Sequence, residues 1–413
     1  MGLPLAALQL SILKANQWKG ASDLESLREE RLLSLARHAS EDVPAYGGLE
    51  IRSVEDLADA PLVTKAMLRD DPHSFLSRRH AGRRLEALRT SGSSGIPVTV
   101  YNDGHDLACR LALELHQLTA AGVGPLDLQA QLCHYSLRPG LIQRMGLFRK
   151  LYLPVQGDEA GMLSVLRRER PEALLGYPSV LVALARLNRA GEPGLGLRKA
   201  ICFSETLTPQ ARSLIETSFS CDLRDFYGAG EVSWMAWECE EGRKHVHSDS
   251  VIIEVLDGKG KRLGPGKEGQ LAVTPLWQGT MPLLRYLVGD RGSLGSGCPC
   301  GRAHPTIEVE GRDDDVITLP SGRVRSARSI NLMDDIEGIS SYQIIQERPD
   351  LFLFRVVPSG ERFPEASMAE AGRRIRAGCL GEPVKVEFET VSRIPRSPTG
   401  KLRSVISKAG PRG

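Results

Sequence analysis

The sequence predicts an α/β protein: a large layered α/β N-terminal domain followed by a smaller α+β C-terminal domain. Three observations carry that expectation. Between residues 81 and 275 short apolar runs alternate with segments of helical periodicity, as strands and helices do when stacked in layers. After Arg312 the pattern changes to short strands around one helix. The length, 413 residues of which 41% are hydrophobic, suffices for two or three domains with a large core.

Residues 1–80 are expected to form a helical N-terminal part of the large domain. Leu24, Leu27, Leu32, Leu33 and Leu35 fall mostly three to five positions apart, and the segment carries no recognisable chemistry. Residues 81–311 are expected to form the α/β core. There 128–133, 173–175 and 200–203 have the apolar character of strands, and 179–188 and 209–218 read as helices. Segments 251–256 and 269–274, separated by a Gly/Lys turn, are expected to pair antiparallel. Residues 312–413 are expected to form the smaller domain, with strands at 342–346, 351–357 and 384–389 around a helix at 365–377. The run Gly311-Arg312-Asp313-Asp314-Asp315 stands between the two as a linker.

Charge and cysteine usage narrow the function classes. With 53 basic and 51 acidic residues spread along the chain, the formal net charge is +2, which implies neither a nucleic-acid nor a membrane partner. No apolar run approaches the ~20 residues that span a bilayer, and the start lacks the basic, apolar, small-residue order of a signal peptide, so a cytoplasmic protein is expected. The eight cysteines are not spaced as a disulfide scaffold. Four residues suit a metal instead: Cys298 and Cys300 in a tight Cys-Pro-Cys-Gly knuckle, with Cys239 six positions before His245. Three thiolates and one imidazole match tetrahedral Zn²⁺ with no open position, a structural site. His247 is the rival fourth ligand.

Five motifs follow one another in order: Arg89-Thr90-Ser91-Gly92-Ser93-Ser94-Gly95, Phe226-Tyr227-Gly228-Ala229-Gly230-Glu231, Arg285-Tyr286-Leu287-Val288-Gly289-Asp290, the Gly311 linker, and Arg396-Ser397-Pro398-Thr399-Gly400-Lys401. The first has the glycines and short hydroxyls of a loop whose main-chain N–H groups approach phosphate. The succession resembles the acyl-adenylate-forming superfamily. Together with the Cys298–Arg302 and Leu319–Arg323 segments, it is most similar to the phenylacetate–coenzyme A ligase branch and its capsule-biosynthesis and coenzyme F390 synthetase-like relatives.

The resemblance implies a mobile C-terminal lid and roles residue by residue. Ser91, Gly92, Ser93, Ser94 and Gly95 would wrap the β- and γ-phosphates of ATP, although Ile96 stands where many relatives have Lys, so weaker phosphate binding or a compensating cation is expected. Glu231 would hold Mg²⁺, a hard ion that takes carboxylate and phosphate oxygens. Phe226, Tyr227 and Gly228 would meet the nucleotide, with Tyr227 on adenine. Ser204 and Glu205 would form an adenine-contacting turn, with Ser204 where relatives show Ala or Gly. Asp290 would bind the ribose diol and Arg312 would join it. Tyr177-Pro178-Ser179 matches a segment near the acyl pocket. Lys401 would reach the carboxylate and the α-phosphate when the small domain closes, and Asp314 and Asp315 would absorb the rotation. Some relatives also carry a zinc at positions matching Cys239, His245, Cys298 and Cys300.

The implied activity is ATP-dependent activation of a carboxylic acid, aryl or arylacetic, followed by transfer to coenzyme A, in a homodimer. The basic segment 319–328, where coenzyme A ligases of this branch carry an apolar loop, would either bind the 3′-phosphate of coenzyme A or mark an amine, another small nucleophile or a carrier-protein thiol as the acceptor. A noncatalytic nucleotide- and zinc-binding module is the reading outside enzymology.

Overall fold

The computed structural model describes residues 2–90, 97–133, 140–155, 158–188, 194–313, 316–397 and 400–409. The serine/glycine loop 91–95 with Ile96, the aspartates 314–315, and Pro398 and Thr399 lie outside these described residues. The fold is mixed α/β, as expected, and the chain divides into two compact units: residues 1–122 with 226–309, and residues 123–225 with 310–413. Among the described residues no helix is long and apolar enough to cross a membrane.

The first unit begins with the helices Gly2–Asn16 and Ala21–Asp42. The expected helical character then breaks up between 43 and 80. Pro44, Pro61 and Pro72 and the pair Gly47-Gly48 interrupt it, leaving 3-10 turns and one short helix, Lys65–Asp70, capped by Thr64. A longer helix, Gly104–Ala120, starts at Asp103, whose carboxylate accepts the main-chain N–H groups of His105 and Asp106. Helix Gly2–Asn16 packs on it through Leu13, Ala112 and Leu113, with Trp234 and Trp277 alongside.

The sheet of this unit runs in the order Val251–Leu256, Gly269–Pro275, Tyr286–Gly295, Thr306–Arg312, Lys244–Val246, Ser233–Glu238 and the end of Asp222–Ala229. The expected antiparallel pair is present, with Val251 opposite Pro275 and Leu256 opposite Gln270. Its apolar face, including Ile253, Leu271, Val273, Leu284 and Tyr286, forms one core with Leu32, Tyr46, Val63 and Leu68. A separate hairpin pairs Glu86–Arg89 with Thr99–Asn102. A further bond from Thr90 N–H to Val98 O (2.8 Å) fixes Thr90 and Val98 at the two ends of the serine/glycine segment.

The second unit contains four parallel strands in the order Lys199–Phe203, Ala173–Gly176, Gln129–Cys133, Lys150–Pro154. Ala173–Gly176 is buried along its whole length, as a strand covered on both faces must be. Helices Glu159–Glu169, Pro178–Leu187 and Pro209–Phe219 pack on these strands, the last two starting with proline at a position where no N–H bond is lost. The rest of the unit pairs Ile339–Arg348 with Leu351–Pro358 antiparallel. Lys385–Thr390 and Val405–Ser407 flank them in parallel, and helix Glu365–Gly378 lies over Phe352, Phe354 and Ile344.

This C-terminal part is fastened to helix Pro178–Leu187 by Arg186. Its guanidinium donates to the carbonyls of Ser340 (2.6 Å) and Asp334 (2.7 Å), while Thr208 donates to the Asp334 carboxylate.

Candidate active site

In the first unit the site is built where strand Asp222–Ala229 turns at Gly230. A side chain on Gly230 would put its Cβ 2.8 Å from Thr90 Cγ2, so glycine is what lets Thr90 approach. Thr90 Oγ1 then donates to Glu231 Oε1 at 3.3 Å, the Tyr286 hydroxyl donates to the same oxygen at 3.1 Å, and Lys65 Nζ lies 3.6 Å from it. Glu231 is buried, and these contacts converge on one carboxylate oxygen. Arg110 holds the turn from behind by donating to the carbonyls of Gly230 (3.1 Å) and Glu231 (2.8 Å), with its guanidinium over the Trp277 ring.

Lys65 is the residue that sequence reasoning missed. The motif Arg285–Asp290 explains its placement. Buried Arg285 pairs with Glu254 and donates to the carbonyls of Ala58, Ala60 and Gly260, while main-chain bonds link Val63 with Arg285 and Leu287. The segment ahead of Lys65 is thereby pinned to the strand that carries Tyr286. No periodicity or motif near Lys65 announces this, because the information lies in a strand more than two hundred residues away.

The same strand presents Asp290, and the Tyr227 hydroxyl donates to its Oδ2 at 2.8 Å. Two neighbours expected against the nucleotide serve the protein itself. Phe226 is buried edge-on to Trp234, and a Cβ on Gly228 would sit 2.6 Å from the Ser233 carbonyl oxygen. Their residue types are explained by packing inside the unit. Half-buried Arg312 ends strand Thr306–Arg312 within the linker run, in the second unit.

In the second unit two loops leave the C-terminal ends of neighbouring parallel strands, where α/β sheets place their ligands. One is Tyr177-Pro178-Ser179 and the other Ser204-Glu205. Ser204 has φ +68°, in the left-handed region that costs glycine least.

The Glu205 side chain is taken up within the unit. Oε2 of its carboxylate accepts the main-chain N–H of Ser179 (3.0 Å) and Oε1 that of Leu402 (2.7 Å). Burial pushes its carboxyl above the ordinary glutamate value, against the opposing pull of those two N–H bonds. Next to Leu402, three described residues are bonded to one another. Gly400 N–H donates to Ser397 O, Ser397 N–H to Lys401 O, and Lys401 N–H to Ser397 Oγ. Gly400 has φ +82°, and a Cβ there would fall 2.1 Å from Val155 Cγ2. Arg396 adds bonds to Ser179 Oγ (2.8 Å) and Gly400 O (3.1 Å). Lys401 Nζ consequently stands 5.9 Å from the centroid of the Tyr177 ring.

A third cluster lies at the far strands of the first unit. Lys244–Val246 pairs with Ser233–Glu238 and meets Thr306, which sets His245 opposite Trp237 and Thr306. Ligand atoms of Cys239, His245, Cys298 and Cys300 all lie within 4.8 Å of one another. His245 Nδ1 donates to the His304 carbonyl at 2.9 Å, which leaves Nε2, 3.3 Å from Cys300 Sγ, as the ligand nitrogen. His247 is excluded from the set by its own surroundings: its ring lies 4.3 Å from Trp237 and its Nε2 3.3 Å from Gln117 Nε2. Burial raises the Cys239 thiol to about 11. At Cys300 burial pushes the same way, but donors from Arg302 outweigh it and hold the thiol below its ordinary value. The donor set and its spacing fit a tetrahedral, four-ligand zinc site.

Comparison with known proteins adds relationship to this geometry. Residues 316–408 match the CapK C-terminal domain family. Across 93% of this chain and 96% of the relative, the sequence is 28% identical to phenylacetate–coenzyme A ligase of Thermus thermophilus. It is 23% identical to the protein CapK of Staphylococcus aureus over 86% of this chain and 81% of that one. In structure, 95% of the chain matches 91% of a 2-hydroxyisobutyryl-coenzyme A ligase crystallised in the postadenylation state, with a TM-score of 0.79 at 23% identity.

Proposed function

We propose that this chain, a relative of the acyl-adenylate-forming phenylacetate–coenzyme A ligases and of CapK, activates a carboxylic acid with ATP and passes the acyl group to coenzyme A. The observation that carries the reading is Lys401, held against Tyr177 at the C-terminal ends of the parallel strands. In the first step a carboxylate oxygen attacks the α-phosphorus, the bond to the bridging oxygen breaks, and pyrophosphate leaves. Negative charge on the acid and on the α-phosphate must be offset as the two approach, and a lysine ammonium on a docked loop supplies that offset. In the second step the coenzyme A thiol, losing its proton, attacks the acyl carbon and AMP departs.

The remaining residues have assignable parts in this reading. Glu231 would hold Mg²⁺ through Oε2, the oxygen not engaged by Thr90, Tyr286 and Lys65. Mg²⁺ neutralises phosphate charge when bound. Lys65 is our candidate for the cation that Ile96 leaves out. Asp290, oriented by Tyr227, would accept the ribose hydroxyls, with Arg312 beside the nucleotide and residues 91–95 around the outer phosphates. Cys239, His245, Cys298 and Cys300 would hold a structural Zn²⁺. An aryl or arylacetic acid is the proposed substrate class and the cytoplasm the proposed compartment.

The test is to supply ATP, Mg²⁺ and coenzyme A with aryl, arylacetic, amino-aryl and short aliphatic acids and to detect AMP and acyl-coenzyme A by mass spectrometry. One acid giving both products in equal amounts is expected. AMP without thioester would redirect the second step to an amine or carrier-protein thiol, and neither product with any acid would overturn the reading.

A further inference from the structure

We propose that Glu205 is a positioning residue that latches the Lys401 loop: its carboxylate joins the first turn of helix Pro178–Leu187 to the main chain of Leu402. The inference rests on the reading of Lys401 as the adenylating cation, but the latch itself is a matter of geometry. Ser179 N–H is one of the donors that a helix start leaves without an intrahelical acceptor, and the helix end favours an anion there. Glu205 Oε2 takes that N–H at 3.0 Å and is thereby fixed to the parallel-sheet part of the unit. Oε1 is then presented to Leu402 N–H, one residue from Lys401, at 2.7 Å.

The residue type follows from the donors. Both partners are N–H groups from separate segments, so the group between them must accept at both ends, which a carboxylate does and an amide does not. In Glu205→Gln the helix N–H keeps the amide oxygen, and the NH₂ group is left facing Leu402 N–H. Two further contacts act on the same loop. Arg396 bridges Ser179 Oγ and Gly400 O, and Gly400 lies too close to Val155 to carry a side chain. Ser397, Gly400 and Lys401 are also bonded to one another, and the latch fixes where Leu402 beside them sits.

Hydrogen exchange of the full-length protein reads the latch without any activity. Loss of a charge-assisted bond should speed exchange of the Leu402 amide in Glu205→Gln by about tenfold or more, with the core strand Leu351–Pro358 unchanged. In kinetics the same variant should lose about tenfold or more in kcat for pyrophosphate release with KM for ATP within about twofold, while transfer to coenzyme A from supplied acyl-adenylate stays within about twofold. Gly400→Ala, which disturbs the other side of the contact, should reproduce both patterns. Unchanged Leu402 exchange in a folded Glu205→Gln protein would overturn the latch, as would an equal loss in both half-reactions. If wild type activates no acid, the functional reading fails, while the exchange experiment still decides the latch.

Discussion

Glu231 in the first unit and Glu205 in the second are both glutamates withdrawn from solvent, yet their surroundings use the carboxylate differently. At Glu231 a hydroxyl from Thr90, a hydroxyl from Tyr286 and the ammonium of Lys65 converge on one oxygen, so the group is oriented with its other oxygen directed elsewhere. At Glu205 each oxygen takes a main-chain N–H from a different segment. The first arrangement gathers its donors on one oxygen; the second spends both oxygens as a fastening. Residue type and withdrawal from water alone would rank the two glutamates alike as site residues, and only the atom-by-atom distribution of donors separates them.

The largest effect that sharpens this comparison is expected from Glu231→Gln. Loss of the proposed Mg²⁺ ligand should lower acid-dependent pyrophosphate release by about a hundredfold or more and raise the Mg²⁺ concentration needed for half-maximal rate, with Leu402 exchange untouched. Accelerated Leu402 exchange in that variant would erase the distinction between the two glutamates.

Next in size is the cysteine cluster. Cys298→Ser, or a strong chelator, should reduce bound zinc measured by plasma mass spectrometry from one equivalent to none and lower the thermal midpoint by several degrees. Full stability with no zinc in the wild type would remove the metal from the account.

A smaller change is expected at Asp290. Tyr227→Phe deletes the hydroxyl that orients it, worth about 1 kcal/mol, and should raise KM for ATP about fivefold with kcat nearly kept. A fall in kcat alone would place Tyr227 in the chemical step.

A separate effect, on stability and outside the site, concerns pH. Burial pulls His116 down to about 4 from its ordinary 6.5, and its ring nitrogens have no hydrogen-bond partner among the described residues. The folded state therefore binds this proton less readily than the unfolded chain. Its contribution is complete above pH 6.5 and is lost as pH falls toward 4. Between pH 7 and pH 5 wild type should lose about 2 kcal/mol more stability than His116→Phe, read from urea midpoints. Equal losses would show that the ring is protonated as easily in the fold as outside it.

Much of the architecture was legible in the sequence because it is written in local pattern. The parallel strands, their helices and the antiparallel pair at 251–275 follow from apolar runs and turn residues, and the C-terminal helix and strands fall within a few residues of expectation. The stretch 43–80 was less legible, since the helical reading drawn from the leucines at 24–35 does not carry into it, where prolines and the Gly47-Gly48 pair divide the chain into turns. In the candidate site the motif residues Glu231, Asp290 and Lys401 stand out by type and order. Their supports do not. Lys65 reaches Glu231 through strand pairing around Arg285, and the Glu205 contact to Leu402 joins residues 197 positions apart. His245 and His247 could not be separated by spacing. They were separated by what surrounds each ring, thiols for one and Trp237 with Gln117 for the other.

The most direct test of the central claim is acid-dependent exchange of labelled pyrophosphate into ATP, run across the acid panel with wild type and Lys401→Ala side by side. Exchange is expected with at least one acid in the wild type, reduced by several orders of magnitude in Lys401→Ala while its fold and hydrogen-exchange profile stay intact. Equal exchange in the two proteins, or none with any acid, would contradict the account.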